Sequence, residues 1–139
     1  CFGGGKFSKI EKKLIDDLNM IKKIIYVTGD DQLLCNYYLN AKALIIPSLY
    51  EGFGLNLLEA MRFKCPIFCS KIDIFDEISD GYVINFDPKN ESNLISQLED
   101  NLFNESKLDE LSLKCFNKSE KFTWEKNASN TIEVYKRLI

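Results

Sequence analysis

Four short apolar or β-branched runs, each followed by a stretch whose apolar residues have helical spacing, constrain the fold of this chain more than any other feature. The runs occupy residues 24–28, 43–46, 66–69 and 82–86. Because neighbouring parallel strands need a crossover connection, this alternation predicts an α/β Rossmann-like parallel sheet with helices on both faces. The 139 residues have the length of one domain and show no internal repeat or linker, so we expect residues 1–139 to form a single domain.

Helices are predicted around these strands from caps and apolar spacing. Ser8 and Glu11 fit a capping box at the start of an amphipathic helix. Further helices are expected near residues 31–38, 55–63, 73–78, 94–102, 108–115 and 124–138.

The stretch 47–63 predicts a glycine-rich turn that leads into a helix. Gly52 and Gly54 bracket Phe53 and let the backbone approach a bound group closely, while residues 55–63 contain good helix formers and no breaker. A helix start exposes unpaired N–H groups and about half a positive charge, which suits a phosphate. Ligands of parallel α/β sheets lie beyond the carboxyl ends of the strands, so we expect an anionic ligand at this turn.

Two glutamates, Glu51 and Glu59, flank this turn. At about 1.5 Å of rise per residue, Glu59 lies roughly 7 to 8 Å along the helix, and its side chain tilts back toward the helix start. Carboxylates only accept hydrogen bonds, so a pair beside a phosphate site suits the hydroxyls of a sugar. For an arbitrary pair of glutamates, the favoured interpretation is a solvated loop carboxylate and an exposed helix residue.

The string that contains both glutamates resembles the retaining glycosyltransferases of the two-Rossmann-domain type, the GT-B fold, which include bacterial mannosyl- and glucosyltransferases and glycogen synthases. The matching residues are Pro47 and Ser48, 51–55, 58–61, 65–67, Ser70, 76–78 and 122–125. This string is specific and covers most of the chain. Within it, Glu51 and Glu59 are interpreted as ligand-binding residues and not as solvated ones. It implies the C-terminal half of a GT-B fold, without its first strand and helix.

The resemblance implies a site for a nucleotide-diphosphate sugar donor. In that site Glu51 meets the hydroxyls of the donor sugar and is catalytic, and Glu59 meets the ribose hydroxyls. The backbone amides that meet the diphosphate and the donor sugar are those of Gly52, Phe53, Gly54 and Leu55. The family also uses a basic residue pair and an acceptor-binding N-terminal domain, which these residues do not contain, so this stretch alone is expected to be inactive.

Residues outside the turn have less defined roles. The resemblance makes Gly29 and Asp30 candidates for contacts with the base, but Asp30 fits the N-cap of the next helix equally well. Lys64 and Lys71 are close to the turn in sequence, yet lysines at helix ends more often cap carbonyls or face water. Glu77 matches an acidic position of the family and is interpreted as structural.

No cofactor is expected, because the nucleotide sugar is itself a substrate, and no metal is expected either. The chain has no histidine, and its five cysteines include no pair separated by two residues. Metal-dependent glycosyltransferases of the other common architecture use two aspartates separated by one residue, a pattern that does not occur here. Cys65 and Cys69 flank a predicted strand and are interpreted as buried thiols in a reducing cytoplasm.

Composition argues against other partners. The net charge of −3 offers no general attraction to nucleic acid, and no apolar run approaches the roughly 20 residues that span a bilayer. The expected partners are the nucleotide-sugar donor and an acceptor held by the N-terminal domain. The resemblance implies a bacterial enzyme of cell-surface polysaccharide synthesis, in the cytoplasm or peripheral at the inner membrane through that domain.

Two alternatives stay open: a nucleotide-sugar epimerase of the same two-lobed fold, and a non-catalytic nucleotide-sugar-binding subunit. Such epimerases are not usually marked by this string, and the intact motif argues against a subunit without catalysis. Glucose and mannose differ in the orientation of one hydroxyl, and the sequence does not distinguish them. Details of the match favour a mannosyltransferase-like member, by analogy alone.

Overall fold

The computed structural model describes residues 1–138, and these divide into two compact units. The first unit is Cys1–Tyr37, and the second runs from Tyr38 to the end of the described residues. None of the helices in residues 1–138 combines the length and the apolar character that a bilayer crossing needs. The expectation that residues 1–139 form one donor-binding domain stays a prediction.

The first unit contains α1, Lys9–Asp17, and the beginning of α2, Asp31–Asn40. The predicted capping box of α1 is confirmed. The Glu11 N–H group donates to Ser8 Oγ at 3.2 Å, and the Ser8 N–H group donates to Glu11 Oε2 at 2.6 Å. The side chains of Ser8 and Glu11 thus each accept a hydrogen bond from the other residue's N–H group, and two N–H groups at the helix start are paired.

The strand predicted at residues 24–28 is wrong in its extent. Only one parallel bridge forms there, between Phe2 and Val27. The Gly3 N–H group donates to Val27 O at 3.0 Å. Gly3 and Gly4 then take positive φ angles of 74° and 66°. These left-handed conformations interrupt the extended backbone that a longer ladder would need, so the pairing does not continue beyond Gly3.

Three short parallel strands form the sheet of the second unit, with β2 in the centre. They are β1, Leu44–Ile46, β2, Ile67–Ser70, and β3, Ile84–Phe86. Ile46 lies opposite Cys69, and Ser70 lies opposite Phe86. All four residues of β2 are buried, as a near-continuous apolar run in a parallel sheet predicts. The three strands predicted in this region are confirmed, with small changes at their ends.

Helices α3 and α4 make the crossovers between successive strands, and three more helices follow the sheet. Their bounds are α3, Leu55–Arg62, α4, Asp73–Ser79, α5, Glu91–Asn101, α6, Glu105–Ser119, and α7, Trp124–Leu138. Phe68 of β2 and Leu108 of α6 share a buried core cluster with Ile84 and Phe86 of β3. The predicted helices are confirmed, but α7 has no buried residue, so its apolar stripe does not enter this core.

The carboxyl ends of β1 and β2 lie at the same edge of the sheet because the strands are parallel. The segment 47–54 leaves β1 at this edge and leads into α3. The Ser70 hydroxyl at the end of β2 donates to Ile46 O at 3.3 Å and ties the two strand ends together. Residues 47–53 and Ser70 therefore lie at the carboxyl edge of the sheet, where parallel α/β sheets bind their ligands. Gly29 belongs to the first unit.

Candidate functional site

Gly54 is the N-cap of α3 and has a left-handed backbone, with φ 82° and ψ 50°. The Phe75 ring of α4 packs against the side of Gly54 on which any other residue would carry its Cβ. L-residues with a side chain avoid this φ, and the ring fills the space, so glycine alone fits without strain. The helix start predicted near Gly54 is confirmed.

The backbone around Gly54 presents a group of N–H donors that have no acceptor among the described residues. α3 begins without a side-chain cap, and its first internal bonds run from the Leu57 and Leu58 N–H groups to Gly54 O, at 3.1 and 3.2 Å. Within residues 1–138, the N–H groups of residues 52–56 donate to no other protein atom. Together with the partial positive charge of a helix start, these donors form a surface on which an anion is stabilised.

Glu51 is half-buried in the loop that enters this turn, and a neighbouring hydroxyl orients it. Ser48 Oγ donates to Glu51 Oε1 at 2.7 Å. The other carboxylate oxygen, Oε2, has no donor among the described residues. Glu51 is therefore held by one oxygen and open to a ligand hydroxyl at the other.

Glu59 lies on the exposed side of α3, and a hydroxyl from α2 orients it. The Tyr38 hydroxyl donates to Glu59 Oε2 at 3.1 Å and lies 3.5 Å from Asn56 O, one turn earlier on α3. Tyr38 itself is buried, with 8% of its surface exposed. The two glutamates thus share one arrangement, in which a protein hydroxyl holds one carboxylate oxygen and leaves the second available.

The contact of Tyr38 with Glu59 was not predicted from the sequence. The spacing of apolar residues places Tyr38 on the inner face of α2 but does not indicate which atom its hydroxyl reaches. A tyrosine among apolar positions signals only that its hydroxyl needs a partner when the ring is buried.

Exposed apolar side chains surround the free N–H groups. Phe53 is 44% exposed and makes an edge contact with Phe122, with ring centroids 6.3 Å apart. Leu49, Tyr50 and Leu55 are also exposed. Apolar surface around a few convergent polar groups is the usual composition of a small-molecule site.

The residues proposed for the base, Gly29 and Asp30, lie just before α2 in the first unit. Asp30 Oδ1 accepts a hydrogen bond from the Leu33 N–H group at 2.9 Å, which confirms that Asp30 caps α2. A role of either residue in base binding stays a prediction.

Lys64, Lys71 and Glu77 have contacts or exposure that fit structural roles. Lys64 Nζ lies 4.7 Å from the centroid of the Phe116 ring on α6, a cation–π contact. Lys71 and Glu77 are exposed.

Within residues 1–138, no three His, Cys, Asp or Glu side chains are grouped closely enough to hold a metal ion. The expectation that no metal is used stays a prediction.

The cysteines of the second unit are buried free thiols, as predicted for Cys65 and Cys69. Burial raises the pKa of Cys65 to about 11 and that of Cys115 to about 12. Burial, with smaller contributions from the nearby Asp76 and Cys115, raises the pKa of Cys69 to about 12. These thiols are protonated at neutral pH, so they are not nucleophiles.

Residues 1–122 match the family described as glycosyl transferases group 1. The O-antigen chain mannosyltransferase B of Escherichia coli is 30% identical over 118 residues, which cover 85% of this chain and 30% of that protein. The serotype-specific mannosyltransferase WbdA of Escherichia coli is 32% identical over 130 residues, which cover 91% of this chain and 16% of that protein. The chain thus spans less than a third of the length of these two relatives.

Solved structures resemble the chain over almost its whole length. Sucrose-phosphate synthase from Thermosynechococcus elongatus has a TM-score of 0.86 at 22% identity, over 99% of this chain and 37% of that protein. TarM has a TM-score of 0.80 at 19% identity, over 96% of this chain and 28% of that protein. These similarities confirm the Rossmann-like fold of a C-terminal GT-B half. Given the family match across residues 1–122, the chain belongs to the glycosyl transferases group 1 family.

Proposed function

We propose that this chain is the donor-binding half of a retaining hexosyltransferase that uses a nucleotide-diphosphate sugar. Membership of the family supports the transfer of a sugar. The observation that carries the proposal is the start of α3, where unpaired N–H groups are flanked in sequence by two glutamates, each held by a hydroxyl. The N–H groups match the anionic diphosphate of a nucleotide sugar, and the two carboxylates match its two hydroxyl-bearing rings.

The N–H groups of residues 52–55 stabilise the diphosphate as it leaves. Negative charge grows on the diphosphate when its bond to the sugar breaks, and donors already in place lower that barrier without reorganisation. Gly54 fixes these donors because its backbone conformation sets the entry into α3. We propose that no metal takes part, and that a basic residue pair elsewhere in the full-length protein adds positive charge.

Glu51 binds the hydroxyls of the donor sugar and orients its reacting carbon, and Glu59 binds the ribose. Each carboxylate keeps one oxygen without a donor among the described residues, so each can accept a hydrogen bond from a ring at that oxygen. A charge-assisted hydrogen bond of this type is about twice as strong as a neutral one.

Relatives support the sugar and the acceptor class. Two of them are mannosyltransferases by name, and one of these acts on an O-antigen chain. We therefore favour a mannose-type donor over a glucose-type one and a growing cell-surface polysaccharide as acceptor. The acceptor binds a separate N-terminal domain of the full-length protein, in the cytoplasm or at the inner membrane.

Calorimetric titration of the full-length protein with UDP-, GDP- and ADP-sugars tests donor binding. We expect one of these series to bind, and Glu59→Gln to weaken that binding about tenfold or more through loss of a charged acceptor. The matched control is Glu99→Gln, which changes an exposed glutamate on α5 in the same way and should leave binding unchanged. No binding in any series, or equal binding by the Glu59→Gln protein, contradicts the proposal.

Product analysis with the donor that binds separates transfer from the alternatives. A transferase yields a glycosylated acceptor, and retention gives the new linkage the anomeric configuration of the donor. An epimerised free nucleotide sugar without transfer would instead identify an isomerase. Binding without either product would identify a non-catalytic subunit.

A further inference from the structure

The burial of the Tyr38 ring does not by itself require that its hydroxyl contact Glu59. Its ring is buried, yet its hydroxyl reaches the one carboxylate of α3 that faces solvent, at 3.1 Å. We propose that Tyr38 is a positioning residue, which fixes the Glu59 carboxylate for the ribose hydroxyls of the donor. This inference rests on the function proposed above and assigns a residue to the selection of ribose over deoxyribose.

The packing of its ring keeps the Tyr38 hydroxyl in place. The ring stacks on Phe63, with centroids 5.9 Å apart and planes inclined by 14°. Phe63 is the C-cap of α3, four residues after Glu59, so the same helix supports the ring and receives the hydroxyl. A stacked and buried ring leaves the hydroxyl little freedom. The position of the carboxylate is therefore set by the packing of the Tyr38 ring on Phe63 and not by the torsions of the glutamate alone.

Glu59 and Asn56 both offer an acceptor to the Tyr38 hydroxyl, and the carboxylate is the better one. Glu59 Oε2 lies 3.1 Å from the hydroxyl, whereas Asn56 O lies 3.5 Å away, at the outer limit of a hydrogen bond. A charged acceptor also forms the stronger bond. Glu59 Oε1 keeps its lone pairs free, since no described residue donates to it.

Ordering a glutamate before the donor arrives improves binding. A long side chain that must be immobilised on binding costs about 0.5–1.5 kcal/mol, which corresponds to roughly a two- to tenfold change in affinity. Tyr38 removes part of this cost because it holds one oxygen in advance. The advantage exists only for a ligand with hydroxyls that Glu59 contacts, so a ribose benefits and a 2′-deoxyribose benefits less.

The test compares nucleoside diphosphates with their 2′-deoxy counterparts in the full-length protein. Using UDP, GDP and ADP with 2′-deoxy-UDP, 2′-deoxy-GDP and 2′-deoxy-ADP, we expect Tyr38→Phe to weaken binding of the preferred ribonucleotide about three- to tenfold. The binding of the 2′-deoxy counterpart should weaken by a smaller factor, because it lacks one of the ribose hydroxyls that the ordered carboxylate binds. In turnover, KM for the donor should rise while kcat stays near the wild-type value, as for a loss of uniform binding.

The matched control is Tyr37→Phe. Tyr37 is the preceding residue of α2, 41% exposed, with its ring in an edge contact with Phe2. Its hydroxyl has no hydrogen bond to the described residues, so its removal should leave both affinities unchanged. Equal weakening of ribo- and deoxyribonucleotides by Tyr38→Phe, or no weakening of either, overturns the inference.

Two further variants keep the result decisive. Phe63→Leu removes the stacked ring but keeps the hydroxyl of Tyr38, so it serves as the test if Tyr38→Phe does not fold. It should lower the preference for the ribonucleotide over the deoxyribonucleotide. An unchanged preference overturns the inference. Glu59→Gln separates this inference from the function. If Glu59→Gln weakens ribonucleotide binding and Tyr38→Phe does not, the positioning role fails and the proposed function stands. If Glu59→Gln has no effect, the proposed function itself fails.

Discussion

Gly54 and Phe75 are in such close contact that a Cβ built on Gly54 would lie 2.9 Å from Cε1 and 3.2 Å from Cδ1 of the phenyl ring. Phe75 is fully buried on α4, so its ring cannot move aside without disturbing the core. The turn that presents the free N–H groups is therefore fixed by a neighbouring helix as well as by its own backbone. Two effects, conformational and steric, act at the same residue.

Gly54→Ala should destabilise the protein by about 2–5 kcal/mol. A side chain at the left-handed φ costs about 1–2 kcal/mol, and overpacking against a buried ring costs about 1–3 kcal/mol more. The measurement is the free energy of unfolding from urea titration. Gly81→Ala is the control, because Gly81 has a φ of 73° but nothing within 4 Å of a built Cβ. Equal losses at the two glycines would show that the Phe75 contact has no energetic consequence.

A double-mutant cycle should assign the steric part of this loss to Phe75. Phe75→Leu removes the ring edge that a Cβ on Gly54 would meet. We expect Gly54→Ala to cost about 1 kcal/mol less in the Phe75→Leu background than in the wild type, since contacting residues couple by about 0.5–3 kcal/mol. Unfolding free energies of the four proteins give the coupling. Additivity within about 0.5 kcal/mol would contradict a direct steric interaction.

The start of α1 depends on Ser8, and Ser8→Ala should destabilise this helix by about 1 kcal/mol. The substitution removes the acceptor of the Glu11 N–H group. Hydrogen exchange of the α1 amides should become faster, with little change in α3. The control is Ser106→Ala, which removes an exposed hydroxyl near the start of α6 where Asn104 is the cap. Unchanged exchange in the Ser8→Ala protein would show that the capping box does not hold α1.

The elements closest to the turn were predictable because several local signals agree there. The apolar run that forms β1 precedes Gly54, and the helix formers of α3 follow it, so strand, turn and helix each had an independent signal. The strands β2 and β3 were predictable for the same reason, since buried parallel strands are short apolar runs bounded by turn residues.

What the sequence did not predict depends on contacts between distant residues. The run 24–28 has the composition of a strand, but strand pairing needs a partner, and the available partner ends at two glycines with positive φ. Similarly, Tyr38 has an ordinary place in the periodicity of α2, and its hydrogen bond to Glu59 is a contact between residues 21 positions apart in the sequence. Periodicity indicates which side of an element is buried, and not which atoms meet across it.

Stability should fall as the pH rises above 9, because folding keeps buried thiols protonated. Cys69 and Cys115 have a pKa of about 12 in the folded protein, against an ordinary value of 9.0. Between these values the unfolded chain has released the thiol proton and the folded chain has not, so each thiol reduces stability by up to about 1.4 kcal/mol per pH unit. Below pH 9 both states are protonated, and this contribution to the pH dependence disappears.

Cys69→Ser should reduce the slope of this pH dependence, because a hydroxyl does not ionise in this range. Unfolding free energies from urea titration at pH 8, 9, 10 and 11 are the measurement. The control is Cys1→Ser at an exposed cysteine, which should leave the slope unchanged. An equal slope in the wild-type and Cys69→Ser proteins would show that the Cys69 thiol ionises as readily in the folded chain as in the unfolded one.

Glu51→Gln should lower kcat/KM of the full-length protein for its sugar donor by about 10- to 100-fold, because a hydrogen bond to a charged acceptor contributes about 1.5–3 kcal/mol. Ser48→Ala should have a smaller effect in the same direction, since it releases Glu51 Oε1 without removing the charge. Steady-state rates of donor turnover give both values, and Glu99→Gln on α5 is the matched control. If Glu51→Gln turns over donor as fast as the control, Glu51 does not contact the reacting sugar. If Glu51→Gln lowers kcat/KM and Ser48→Ala leaves it unchanged, Glu51 contacts the sugar without help from the serine hydroxyl.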